Sequence, residues 1–241
     1  MEFSVLGDLL ARERRSERPA LVVPRLDREM RYHDLLTTAY KAGNALRYLG
    51  VSRAATVAVD PTPAPEPILA FLGAAQLGAT TTFDPFSEAR VTLVPVADEE
   101  RHVAPPGSTL VVYGGPPSAP ATIHWEEAVW SENPGAPRTD VDPDAPAVLA
   151  DGRTHSHAAL LAAADRVVAD LGLTASSRLA VRTSLEHPET VLGVLAALAA
   201  GAAAVLVAEP TRDVDADAAL VEPGVDPPEA TWLSTADVAL S

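Results

Sequence analysis

The segment from Arg31 to Phe83, RYHDLLTTAYKAGNALRYLGVSRAATVAVDPTPAPEPILAFLGAAQLGATTTF, has a second, divergent copy from Arg153 to Val207. Both copies run in the order amphipathic helix, Leu-Gly turn, apolar strand, polar loop, apolar helix, Gly-Ala turn and strand. The residue types that recur at matching places are Arg31 and Arg153, His33 and His155, Gly50 and Gly172, Glu66 and Glu189, and Gly78 and Gly201. A repeated unit of this length predicts two α/β layers of similar construction.

Helices rather than hairpin turns join the strands within each copy, so the connections are predicted to be right-handed parallel crossovers. The sequence therefore predicts an α/β fold of two similar, pseudo-repeated subdomains with mostly parallel sheets. The predicted organisation is a first subdomain at 1–130, a Pro-rich linker at 131–146, a second subdomain at 147–210 that repeats 31–83, and an acidic tail at 211–241 with edge strands at 218–221 and 230–233.

Apolar runs outside the repeat predict further elements. These are an amphipathic helix that begins at Phe3, a hairpin of strands at 19–23 and 28–32, strands at 91–96, 109–113 and 146–150, a helical turn at 125–129 and a helix at 157–171. Ser156 or Thr154 is predicted to cap the last of these helices. Glu66 and Glu189 begin the two apolar helices, where an acidic side chain favours the positive end of the helix dipole.

The charge of the chain excludes several partners. The formal net charge is −15, and residues after 50 carry 26 acidic and nine basic groups. Such a field repels nucleic acid and anionic membranes, so neither is expected as a partner. There is no cysteine, which excludes disulfides and thiolate chemistry. The N-terminal residues lack the order of a signal peptide, and the uncharged stretch 190–208 fits a helix that runs into a buried strand, so a cytoplasmic protein is expected.

The basic residues are almost all arginine, with Lys41 as the single lysine among 18 basic groups. An acidic excess with so little lysine is typical of proteins from a salt-rich cytoplasm, where ions screen the repulsion between carboxylates. An acidic surface encoded by a GC-rich genome is the alternative. A protein that stays folded and monodisperse in dilute buffer would contradict the halophilic interpretation.

Several segments together resemble a known superfamily. They are "RPALVV" (Arg18–Val23), "MRYHDL" (Met30–Leu35), "KAGNALRYLGV" (Lys41–Val51), "GAAQLGATTTFDP" (Gly73–Pro85), "SHAALLAAADRVVADLGL" (Ser156–Leu173), "RLAV" (Arg178–Val181) and "VLAALAAGAAAVLV" (Val194–Val207). In this order they are similar to the N-terminal part of the adenylate-forming enzymes, the AMP-binding group of acyl-CoA synthetases, nonribosomal adenylation domains and luciferases. The resemblance covers most of residues 1–210 and implies two similar α/β subdomains.

One departure from that superfamily bears on function. There, the strand before the second repeat is followed by a Ser/Thr/Gly-rich loop that ends in Pro-Lys-Gly and cradles the phosphates of ATP. Here only a remnant of the region remains, Asp151, Gly152, Arg153 and Thr154, and Asp151 would repel a phosphate. The adenylate-binding acids and the lid lysine of the superfamily are also expected to be missing, and Lys41 lies in the first helix. The resemblance therefore transfers no catalytic residue.

Other candidate sites favour structural interpretations. His155 and His157 with Asp151 resemble a metal site, but the match of His155 to His33 favours a structural position, and no metal is predicted. Two prolines follow Gly114-Gly115 and remove amide donors, which favours a turn over a phosphate cradle. No nucleophile elbow surrounds Ser156. The aromatic group His124, Trp125 and Trp130 is predicted to lie in the core or at an interface.

The sequence thus predicts a catalytically degenerate relative of acyl-CoA synthetases, with no cofactor and a binding, scaffolding or regulatory role. Its expected partner is a protein or a second copy of the chain, with a small acyl or nucleotide ligand as a further candidate. Two alternatives stay open. In one, the chain is a subunit of a split acyl-CoA ligase whose phosphate loop and lid come from another polypeptide. In the other, it is a sensor of acyl-CoA or a nucleotide.

Overall fold

The computed structural model describes residues 3–209 and 212–238, and the backbone but not the side chains of residues 188 and 189. The chain forms two compact units. The terminal unit comprises Met1–Leu36, Pro63–Pro65 and His155–Ser241, and the central unit comprises Thr37–Thr62 and Glu66–Thr154. This division differs from the predicted boundaries at 130, 146 and 210, because the first 36 residues group with the second copy of the repeat.

Within the described residues the chain has thirteen strands and five α-helices. The strands are β1 (Pro19–Val23), β2 (Arg28–Arg31), β3 (Thr56–Val59), β4 (Thr80–Thr82), β5 (Val91–Pro95), β6 (Thr109–Tyr113), β7 (Ile123–His124), β8 (Pro146–Ala150), β9 (Arg153–Ser156), β10 (Arg178–Arg182), β11 (Ala203–Leu206), β12 (Ala218–Val221) and β13 (Trp232–Ser234). The helices are α1 (Tyr32–Tyr48), α2 (Pro65–Ala75), α3 (Trp125–Trp130), α4 (His157–Leu171) and α5 (Pro188–Ala200).

The terminal unit contains a six-stranded sheet in the order β13-β12-β10-β11-β1-β2. Strand β10 lies parallel to both β11 and β12, and β12 lies parallel to β13. Strand β1 is parallel to β11, with Leu21 opposite Ala204, and antiparallel to β2. The predicted hairpin of β1 and β2 is therefore confirmed, and so is the predicted strand at 218–221; the other predicted edge strand lies at Trp232–Ser234.

The central unit contains a seven-stranded sheet in the order β7-β6-β5-β3-β4-β8-β9. Strand β3 lies parallel to β4 and β5, β5 to β6, β6 to β7, and β4 to β8. Strand β9 is missing from the sequence prediction. It returns beside β8 through the two residues Asp151 and Gly152.

The two sheets are built on one plan. Reading outward from the middle, β10, β11, β12 and β13 of the terminal unit correspond to β3, β4, β5 and β6 of the central unit, and the hairpin β1–β2 corresponds to β8–β9. The hairpin that precedes α1 in the chain belongs to the sheet of the second copy, and the hairpin that precedes α4 belongs to the sheet of the first. This exchange explains why the compact units cross the linear boundaries.

The apolar pattern of the repeat explains the core. Parallel strands are covered on both faces, so their residues are apolar without alternation, as in Val57, Ala58 and Val59, all fully buried. The helix α2 is buried on nearly every side, which matches its uniformly apolar sequence. The described part of α5 has the same character. The side chain of Glu189, which was predicted to cap α5, lies outside the described part of the chain.

The N-terminal segment differs from the prediction of an amphipathic helix. Leu6–Leu10 forms a 3-10 helix, in which Leu6, Leu9 and Leu10 are buried. The carboxylate of Asp8 accepts hydrogen bonds from the backbone N–H groups of Ser4 (2.7 Å) and Val5 (3.0 Å), which closes a tight first turn. Among the described residues, no helix combines the length and the apolar character needed to cross a membrane.

Candidate functional site

The four residues predicted as a remnant of a phosphate loop lie together at the β8–β9 connection. Asp151 and Gly152 form the turn, with φ angles of 51° and 71°, and Arg153 and Thr154 begin β9. Positive φ at both central residues is typical of a type I′ turn, and Asp-Gly is a preferred pair for it. The dipeptide between two strand-like runs was a signal for this hairpin that the sequence prediction missed.

The geometry of this turn differs from a phosphate cradle. All four residues are exposed to solvent, and a Cβ built on Gly152 would meet nothing within 4 Å. A phosphate cradle gathers several convergent backbone N–H groups, whereas a two-residue hairpin turn has few to offer. Asp151 adds a negative charge at the tip, and Arg153 supplies a cation that water screens.

The neighbouring histidines and Ser156 have distinct environments. His157 is fully buried, and its Nδ1 accepts a hydrogen bond from the backbone N–H of Leu6 at 3.2 Å. Burial lowers the pKa of His157 to about 4, and the charge of Asp8 offsets part of that effect. Ser156 caps α4 by accepting a hydrogen bond from the N–H of Ala159 at 3.2 Å, as predicted. Across the described residues, no group of three or more His, Asp or Glu side chains is arranged to hold a metal ion.

An ion pair that the sequence prediction missed lies at the end of β10. The guanidinium of Arg182 donates to both carboxylate oxygens of Glu229, from Nε at 2.9 Å and from a terminal nitrogen at 2.5 Å. Both side chains are almost entirely buried, at 0% and 3% exposure. An arginine after an apolar strand gave no sign of its partner, because Glu229 is 47 residues away in the tail. The opposite charges neutralise each other inside the terminal unit, which is typical of a structural ion pair.

The matching strand ends of the central unit carry acids and a tyrosine. Asp60 follows β3 and accepts hydrogen bonds from the backbone N–H and the hydroxyl of Thr62. Tyr113 ends β6; burial, followed by the charge of Asp60, raises the pKa of its phenol. Glu66, predicted to cap α2, lies in the first turn of that helix and is buried.

The loop that follows β6 contains the second predicted turn. The backbone N–H of Gly114 donates to Glu126 at 2.7 Å. The N–H groups of Ser118 and Ala119 donate to Glu99 at 2.7 and 3.0 Å, and these hydrogen bonds lower the pKa of Glu99 to about 2. The protein's own carboxylates therefore occupy these amides, in agreement with the prediction of a turn.

Beside this loop lies a groove of about 700 Å³, in a size range typical of small-molecule sites. Its lining includes Tyr48 and Leu49 from the end of α1, Pro116, His124 and Glu127. Of the aromatic group named in the sequence analysis, Trp125 is buried in the core, His124 lines the groove and Trp130 is 83% exposed.

The fold is shared with solved structures of larger proteins. The anthranilate CoA ligase AuaEII, solved with anthranoyl-AMP, matches with a TM-score of 0.75 at 20% identity, over 90% of this chain and 49% of that chain. The N-terminal domain of FACL13 from Mycobacterium tuberculosis matches with a TM-score of 0.68 at 18% identity, over 92% and 63%. A Mycobacterium tuberculosis fatty acyl CoA synthetase matches with a TM-score of 0.67 at 18% identity, over 90% and 49%.

These matches establish the fold, which is that of the N-terminal region of acyl-CoA synthetases, and they confirm the predicted α/β class with mostly parallel sheets. At such low identity they establish nothing further. The chain spans from about half to just under two-thirds of the length of these three structures. No protein-family model and no curated protein matches the sequence.

Proposed function

We propose that this protein is a relative of the acyl-CoA synthetases in which the adenylate-forming scaffold serves a binding or scaffolding role and does not activate carboxylates with ATP. The observation that carries the proposal is the two-residue turn of Asp151 and Gly152, both with positive φ, at the place where the resemblance implies a phosphate loop. The fold-level likeness supports the ancestry, and the turn supports the loss of activity.

The electrostatic argument starts from the charge of ATP. A bound triphosphate needs several convergent N–H donors or cations, because removing its charges from water is otherwise unfavourable. The turn offers the exposed guanidinium of Arg153 and opposes it with the carboxylate of Asp151. The net charge of −15 adds a long-range repulsion that screening by salt reduces and does not reverse.

A binding role agrees with the exposed apolar side chains of the central unit. Phe86 and Val103 are 66% and 90% exposed, and the ring of Phe86 stacks on His102 with ring centres 4.6 Å apart. Exposed aromatic and aliphatic groups that lie close together mark surfaces for association. A protein partner or a second copy of this chain is therefore the proposed occupant of this surface.

Carboxylate-dependent exchange between ATP and pyrophosphate, measured on the purified chain at low and high salt, tests the proposal. We expect no exchange with a panel of aromatic and aliphatic carboxylates, and no heat of Mg-ATP binding in calorimetry. Exchange by the chain alone would overturn the loss of activity. Exchange that arises only when a second polypeptide is added would support the split-ligase alternative instead.

Two variants locate any nucleotide that does bind. If Mg-ATP binds at the turn, Arg153→Ala weakens the binding and Asp151→Asn strengthens it, because the first removes a cation and the second a repulsive charge. Arg138→Ala is the matched control, since it removes an exposed arginine of the same unit. Equal effects of Arg153→Ala and Arg138→Ala would place the nucleotide elsewhere.

A further inference from the structure

The groove of about 700 Å³ in the central unit has a lining of mixed character. Its apolar surface comes from Leu49, which directly follows α1, and from Pro116 in the loop after β6. Tyr48 stands at the groove with 86% of its surface exposed, which is unusual for an aromatic side chain without a partner surface. The site therefore offers apolar contact and a free aromatic ring to a molecule that enters it.

The polar part of the lining is acidic. Glu127 has 83% of its side chain exposed, and Glu132 also lines the groove. His124 lies between carboxylates, with Nε2 3.0 Å from Glu126 and Nδ1 3.6 Å from Glu127. Lys41 is close by, but its ammonium donates to the backbone carbonyl of Trp130 at 3.0 Å and does not line the groove.

We propose that this groove is a binding site for a small organic cation, an amine with an aromatic or alkyl body. The ammonium would lie between the carboxylates of Glu127 and Glu132, where its charge is attracted by both, and against the ring of Tyr48, whose face attracts cations. The apolar body would cover Leu49 and Pro116. The inference goes beyond the proposed function, because an adenylate-forming ancestor would use anionic substrates.

Three probes of the same shape and different charge test the proposal: phenethylamine, phenethyl alcohol and phenylacetate. Titrations are followed by calorimetry and by backbone amide shifts in NMR spectra of the full chain. The amine is expected to bind saturably with a millimolar or tighter Kd, about tenfold more tightly than the alcohol, a difference of about 1.4 kcal/mol that the attraction of the ammonium to two carboxylates can supply. Phenylacetate is expected not to bind. The shifts should concentrate in residues 45–49 and 122–132.

Matched variants separate this site from general attraction to an acidic protein. Glu127→Gln with Glu132→Gln removes two charges at the groove, and Glu88→Gln with Glu100→Gln removes two exposed charges elsewhere in the same unit. The first double variant should weaken amine binding about tenfold and the second less than twofold. Tyr48→Ala should weaken it about threefold, through loss of the ring.

The proposal is overturned by any of four results: no saturable binding of the amine, equal binding of amine and alcohol, equal losses in the two double variants, or amide shifts away from the groove. None of these outcomes bears on ATP activation, which has its own assay. Unchanged far-ultraviolet circular dichroism and melting temperature in the glutamine variants establish that lost binding is not lost folding.

Discussion

Strands β3 and β10 hold the same place in the two sheets, but the residues at their carboxyl ends have opposite charges. In the terminal unit, Arg182 at the end of β10 is buried and paired with Glu229 from a distant loop. In the central unit, the carboxylate of Asp60, the residue after β3, accepts hydrogen bonds from Thr62, two residues away. The comparison indicates that the apolar pattern of the strands determines the topology, whereas the partner of the charged residue at the strand end differs between the two units.

The local turn at Asp60 and the buried ion pair at Arg182 contribute differently to stability. A local turn between neighbours forms at little entropic cost and leaves the carboxylate partly in contact with water. A buried ion pair has lost its water on both sides, so each partner depends on the other. The terminal unit should therefore be far more sensitive than the central unit to a change at this strand end.

The largest effect is expected from Arg182→Ala. The substitution leaves the carboxylate of Glu229 buried without this bidentate partner, which should lower the free energy of unfolding by about 3–5 kcal/mol. Urea titration followed by circular dichroism measures it. Replacing both residues at once, Arg182→Met with Glu229→Leu, should recover most of the loss, because neither charge of this pair then remains.

Two controls accompany that measurement. Arg31→Ala breaks the exposed pair with Glu17 (2.7 Å) and should change the free energy of unfolding far less than Arg182→Ala does, since water screens that pair. Asp60→Asn, which keeps an acceptor for Thr62, should cost about 1 kcal/mol. A loss for Arg182→Ala no larger than these two would contradict the contrast between the strand ends.

The second effect concerns glycines in the matching helices α2 and α5. A Cβ at Gly73 would lie 2.8 Å from the backbone nitrogen of Gly43 and 3.0 Å from the carbonyl carbon of Ala42, so two helix backbones would have to separate. A Cβ at Gly193 would meet methyl groups of Val181 at 2.8 and 3.0 Å, and side chains adjust more readily than backbone. Gly73→Ala should therefore cost about 3 kcal/mol and Gly193→Ala about 1 kcal/mol. Equal losses in urea titrations would show that both sites relax alike.

The repeated helices and strands were predictable from the sequence because their signal is periodic and local. The strands at 57–59 and 179–181 are continuous apolar runs, and the helix cap at Ser156 follows from its side chain. The sequence could not predict that each hairpin joins the sheet of the other copy. Strand partners such as Leu21 and Ala204 are far apart in sequence, and nothing in their residue types indicates that they pair.

The candidate site shows the same limit. The sequence identified Asp151, Gly152, Arg153 and Thr154 as one segment, and the structure places them at one turn. The Asp-Gly pair between two strand-like runs is sufficient to predict the hairpin, whereas the resemblance to the superfamily implies a phosphate loop at the same place. The groove beside Tyr48 joins the end of α1 to residues some 70 to 80 positions later, so periodicity could not indicate it.

The third effect is a dependence on pH that belongs to the second copy of the repeat. His157 occupies the position that Leu35 holds in the first copy at the same offset, and both are buried. The folded-state pKa of about 4 lies below the ordinary value of 6.5, so the unfolded chain binds the proton more strongly. The stabilisation is complete above pH 6.5 and is lost as the pH falls toward 4.

The free energy of unfolding should fall by about 2 kcal/mol between pH 7 and pH 5, because the unfolded chain protonates His157 in this range and the folded chain does not. His157→Leu, which introduces the residue of the first copy, should remove this part of the pH dependence, although it also removes the acceptor for the N–H of Leu6. His33→Leu is the control, because His33 is exposed. If the slope of stability against pH is the same in wild type and His157→Leu, the histidine is not the titrating group.

The smallest effect compares the turns of the two matching hairpins. Gly152 has a φ of 71° and open space where a Cβ would stand, so Gly152→Ala adds no clash and only the strain of a left-handed backbone, about 1 kcal/mol. In the other hairpin Asp27 already holds a φ of 52° after a 3-10 turn, and Asp27→Gly should change stability by less than about 0.5 kcal/mol. Thermal unfolding of the two variants beside wild type measures both changes. A loss well above 1 kcal/mol for Gly152→Ala would mean that other atoms crowd this turn. The turn would then be less open than in this structure, and the distinction from a phosphate cradle would be weaker.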